Sequence, residues 1–156
     1  MSKVRPVMFC ILFTFFAVWG QYYFQSVDFL TPGIVVLLQF NFLNLALWAG
    51  IIWMLIQEGT GGFAFGAMIM FYLGLLVAYY LGGAFFEVGN RFFVLLLFLF
   101  LAVYKDLIVS VMASLQDLDL AEKYSLEGVM IQAGIYFFVW LLIYNLFKKY
   151  FFNDTA

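Results

Sequence analysis

Apolar runs follow one another along almost the whole chain: Val4–Phe24, Ile34–Ile56, Phe63–Phe86, Phe92–Ala113 and Val129–Phe147. A spanning helix needs about 20 apolar residues to cross ~30 Å of hydrocarbon. Hydrophobic residues make up 67% of the chain and charged residues 10%, whereas a soluble domain carries roughly 25% charged residues. So little polar surface cannot cover the molecule in water, and its outer face must meet lipid. Barrel strands alternate apolar and polar positions, but Phe92–Val103 and Gly134–Tyr144 are apolar at nearly every position. The expectation is therefore all-α: a polytopic membrane helix bundle with five or six transmembrane helices, forming a single integral membrane domain over residues 1–156.

The N-terminal run follows Lys3 and Arg5 and ends at Trp19, Gly20 and Gln21 with no small-residue cleavage signal, which reads as an uncleaved first span. The span count turns on residues 32–56. Gln39, Asn41 and Asn44 interrupt this stretch, which is either one helix or a hairpin of two short ones. Lys and Arg favour the cytoplasmic side. With five spans, Lys3, Arg5 and Lys123 face Arg91, Lys148 and Lys149 across the membrane, and the rule is silent. With six, Lys3, Arg5, Arg91, Lys148 and Lys149 share the inner side against Lys123, which favours six. Length argues the other way, because half of that stretch rises only ~20 Å.

Composition excludes several kinds of chemistry. There is no His, so the commonest general base and metal ligand is missing. Cys10 stands alone in an apolar run, which rules out an internal disulfide and reads as an inert buried thiol. No nucleophile–base set, paired carboxylates or cofactor fingerprint is visible, so no catalytic, cofactor-binding or metal site is assigned. Seven basic residues against nine acidic ones, with no basic patch, give no nucleic-acid surface. The Gly-rich stretch from Glu58 to Gly66 lacks the Lys and the preceding strand of a phosphate-binding loop.

Three features remain. Gly66, Met70, Gly74, Ala78 and Gly82 recur every four residues, a stripe that lets another helix approach closely. The neighbour could be a helix of this chain or of another subunit. Lys105 and Asp106 lie ~12 Å inside their span, where a charge is expensive. They read either as a polar contact in the interior or as Lys105 snorkelling with Asp106 near water. Gln39, Asn41 and Asn44 are intramembrane polar groups able to bond across helices. Ser114–Gly128 is the most polar segment and reads as an interfacial amphipathic helix or as an extension of a flanking one.

Gly50, Glu58, Gly62 and Gly66 give G-x7-E-x3-G-x3-G across two apolar segments, the earlier of which begins at Pro32. This resembles the MreD family, small integral membrane proteins of the bacterial rod-shape system. The likeness covers the whole chain in layout and is specific over about residues 32–82. The family usually has Asp where this chain has Glu58, and a Gly where it has Met54. Its polar basic loop is reduced here to Trp48, Ala49 and Gly50. The resemblance implies a six-helix inner-membrane protein with both termini in the cytoplasm and no activity of its own. It further implies binding to an MreC-like periplasmic scaffold, a RodA-like glycosyltransferase and a class B penicillin-binding protein, with MreB filaments beneath. It also implies a fold akin to the substrate-binding components of energy-coupling vitamin transporters.

The function expected is a non-enzymatic membrane scaffold subunit of the cell-wall elongation complex, docking partner helices in a lipid environment. The alternatives are a small-solute-binding transporter component, built on polar groups such as Gln39, Asn41, Asn44 and Lys105, and an accessory subunit of an energy-converting complex, with Lys105 and Asp106 beside a proton path.

Overall fold

The computed structural model describes residues 4–24, 27–59, 64–117 and 125–152. They form six helices, α1 (Val4–Tyr23), α2 (Thr31–Gln39), α3 (Leu43–Gly59), α4 (Ala67–Phe85), α5 (Arg91–Leu115) and α6 (Leu126–Phe152), with no strand among the described residues. Within α1, α4, α5 and α6 lie segments long and apolar enough to cross a membrane (Arg5–Tyr23, Ala67–Phe85, Arg91–Leu115 and Leu126–Phe151), and α3 is a shorter apolar helix. The protein is thus an all-α, multi-pass membrane protein. The last span is longer than expected from sequence, running from Leu126 to Phe152 rather than from 129 to 147. The second long span, α4, begins at Ala67 rather than at 63.

The stretch 32–56 is not one helix. It breaks at Phe40–Phe42 into α2 and α3. Asn41 takes a left-handed φ of 60°, a conformation that a short polar side chain tolerates. The Phe42 N–H donates to the Leu37 carbonyl at 2.9 Å and the Asn41 N–H to the Leu38 carbonyl at 3.0 Å. These paired bonds are a Schellman motif and satisfy the last carbonyls of α2. The Phe42 carbonyl then accepts from Ala46 N at 2.8 Å and opens α3. At nine residues, α2 rises only ~13 Å, less than half of the ~30 Å core, and cannot cross alone.

The chain forms two units, one of Met1–Ala49 with Gly134–Ala156 and the other of Gly50–Ala133. In the first, α1 runs antiparallel to α6. Phe9 meets Phe147 edge-on at 4.9 Å and Phe151 at 6.3 Å, while Gly20 lies against Phe29 and Asp28 reaches Tyr136. The start of α1 and the end of α6 therefore share one side of the membrane. Helix α2 follows α6 in the same direction: Asp28 bonds Tyr136, Gln39 bonds Trp140, and Phe40 packs on Tyr144 and Phe147.

Residues 31–38 of α2 are all buried, so its first N–H groups have no water to turn to. Pro32 in the first turn removes one donor. Gly33 N donates to the Leu30 carbonyl at 3.0 Å, and the Asp28 carboxylate takes two further donors: its Oδ1 accepts from Leu30 N at 2.8 Å and Thr31 N at 3.3 Å. Its Oδ2 accepts from the Thr31 hydroxyl and, at 3.0 Å, from the Tyr136 hydroxyl. A carboxylate 2% exposed is thereby held by four donors, two of them backbone.

In the second unit, α4 and α5 form an antiparallel helical hairpin. Asn90 caps α5, its side chain accepting from Phe92 N at 2.9 Å. The buried face of α5 runs through Val94, Leu97, Phe98, Leu101, Ala102 and Lys105, the three-and-four spacing of one helix side. On α4, a Cβ added at Gly74 would lie 2.6 Å from the Tyr104 hydroxyl, and one at Gly82 would lie 3.1 Å from Phe93 Cζ. Both glycines admit an aromatic ring of α5 onto the α4 backbone, where Tyr104 donates to the Met70 carbonyl at 3.2 Å.

Asp28→Ala should lower stability in detergent micelles by about 2–3 kcal/mol, because it takes the acceptor from two buried hydroxyls and two N–H groups. Tyr136→Phe should cost about 1 kcal/mol, since it removes one donor and leaves the Asp28 carboxylate its other three. Denaturant or thermal unfolding followed by circular dichroism checks both; equal effects would contradict the four-donor arrangement.

Candidate functional site

Two residues of the sequence motif, Glu58 and Gly66, meet where α3 and α5 end and α4 begins. Glu58 stands in the last turn of α3, half-buried. One of its carboxylate oxygens, Oε1, accepts from Gly66 N at 3.1 Å and from Met68 N at 3.2 Å. These are the N-cap residue of α4 and its second helical residue. The first N–H groups of a helix lack intrahelical acceptors, and the helix dipole favours an anion there. Glu58 thus caps α4 from a neighbouring helix.

Gly66 has φ +84°, the left-handed region in which a side chain is strained. Nothing lies within 4 Å of a Cβ built on it, so its requirement is backbone conformation and not space. The sequence pattern places Gly66 at the head of the small-residue stripe. The structure instead puts it outside the helix, as the cap that Glu58 grips, because the turn entering α4 needs the left-handed residue.

Two further side chains tie this junction. Gln116, the first residue beyond α5, faces the backbone of Phe65: its Nε2 donates to Phe65 O at 2.8 Å and its Oε1 accepts from Phe65 N at 3.2 Å. Gln57, adjacent to Glu58, is buried and accepts from the Tyr72 hydroxyl at 3.3 Å. The last turn of α3 thus holds α4 at two levels, and the end of α5 holds the residue before Gly66. Of the motif Gly50, Glu58, Gly62 and Gly66, the structure brings Glu58 and Gly66 together. Gly50 lies within α3, half-buried, and Gly62 lies outside the described residues.

The other sequence candidates are dispersed. In the stripe, Gly74 and Gly82 face α5 of the same chain. Ala78 and Gly82 border an apolar hollow of about 280 Å³ together with Phe86, Phe93, Leu97 and Phe100. Lys105 is 4% exposed, on the inward face of α5, and so does not snorkel. Asp106, about 100° further round, is half-buried. Gln39 accepts from Trp140 Nε1 at 2.7 Å, a bond across helices. Asn41 serves the turn and is exposed, and Asn44 is exposed on α3, so these two do not converge with Gln39 on an internal site. Cys10 is buried. Leu115, expected in an amphipathic segment, ends α5, and residues 118–124 of that segment lie outside the described residues. Among the described residues, no group of three or more His, Cys, Asp or Glu is placed to hold a metal ion.

Asp28, Gln57, Gln116 and Tyr136 are the polar residues that sequence reasoning missed. Asp28 carried a usable signal, an acid three residues before Thr31 and Pro32 at the start of an apolar run. Gln116 carried none, since its partner is 51 residues away.

The helices and these polar ties define a polytopic helical membrane protein whose buried polar side chains serve helix ends and helix pairs. Protein-family models, curated proteins and solved structures were compared with the chain, and none matches it.

Three substitutions separate the contributions to this junction. Glu58→Ala should cost about 1 kcal/mol as a lost cap, and Glu58→Gln less, because an amide oxygen still accepts. Gly66→Ala should cost about 1–2 kcal/mol through backbone strain alone. Gly74→Leu should be the most damaging, because its side chain cannot coexist with Tyr104. Unfolding in mild detergent ranks them; an unchanged Gly74→Leu variant would contradict the α4–α5 contact.

Proposed function

We propose that this protein is a non-enzymatic membrane scaffold subunit of a bacterial cell-wall elongation complex, resident in the inner membrane. It docks the membrane helices of an MreC-like scaffold, a RodA-like glycosyltransferase and a class B penicillin-binding protein. The observation that carries the reading is the Glu58–Gly66 cap. The acid and glycine that give the MreD resemblance its specificity are in direct contact and fix the entry to α4, so their spacing has a structural reason and is not a chance of composition. The shared side of the start of α1 and the end of α6 supports an even number of crossings, as that resemblance implies.

Docking falls to outward faces. Gly74 and Gly82 are occupied by α5, so the small-residue stripe is not the partner face. Leu73, Val77, Tyr80 and Leu81 project outward from α4, and Ile11, Phe15, Trp19 and Tyr22 from α1, all more than half exposed. In lipid such faces associate through van der Waals packing, with aromatic rings supplying contact area. Asn41 and Asn44 are exposed and apart from Gln39, and neither the hollow beside Ala78 nor a groove between α1 and α6 lined by Arg5 and Tyr150 includes Gln39, Asn41, Asn44 or Lys105. The scaffold reading is preferred to the transport reading on that ground.

The test is affinity purification of the full chain at native abundance in mild detergent. An MreC-like coiled-coil protein and a RodA-like glycosyltransferase should co-purify, and depletion should turn rods into spheres. Recovery of the chain alone, with cell shape unchanged on depletion, would overturn the reading.

A further inference from the structure

We draw no further inference here: the strongest candidate, the apolar groove of about 670 Å³ between α1 and the C-terminal part of α6 lined by Phe9, Leu12, Phe16 and Leu146, is an outward-facing hollow, and nothing in the structure shows what covers it.

Discussion

A backbone N–H or C=O left without a partner in hydrocarbon costs several kcal/mol, and the placement of polar side chains in this protein answers to that penalty. Helix α2 shows it most directly. It is too short to bring both of its ends to the membrane surfaces, and eight of its nine residues are buried. Each end therefore carries its own closure. Asp28 gathers the donors at the start, and the left-handed Asn41 lets the following N–H groups fold back onto the carbonyls at the finish. The cap of α4 follows the same logic, except that its acceptor comes from another helix. Gly66 supplies the turn, while Glu58 and Gln116 supply the bonds.

Helix pairing rests on shape, because lipid tails are as apolar as leucine and give helices no hydrophobic reason to meet. Glycines on α4 receive aromatic rings from α5, which brings the two backbones close and adds the Tyr104 bond to a main-chain carbonyl. In the other unit, the aromatic cluster of Phe9, Phe40, Phe147 and Phe151 plays the equivalent part. The high aromatic content thus divides in two. Some rings fill helix contacts, and others, such as Phe15, Trp19 and Tyr80, face outward. The outward set is available to lipid and partners, and it is on this set that a scaffold role depends. Lys105 is an inward charge, buried on the same face of α5 as Leu101 and Ala102.

The sequence determined the solvent, and through it the fold class. Runs of twenty apolar residues permit only helices, and four of the six helices, α1, α4, α5 and α6, were legible as single runs, while the remaining run held both α2 and α3. The break in residues 32–56 was legible as a possibility from Asn41 and the charge balance. It became definite only through the backbone bonds of Phe42 and Asn41. The acid–glycine spacing from 58 to 66 was visible as a pattern, but its meaning was not, because a cap is a three-dimensional relation between the end of one helix and the start of another. Likewise the small-residue stripe announced close approach without naming the neighbour, and only tertiary structure assigned it to α5. Asp28 looked like a loop residue, yet Tyr136, 108 positions away, makes it a buried anchor. Periodicity and hydropathy report how each segment meets its surroundings, and those terms are local. Which donor finds which acceptor depends on chain closure over long separations, and no local pattern carries that.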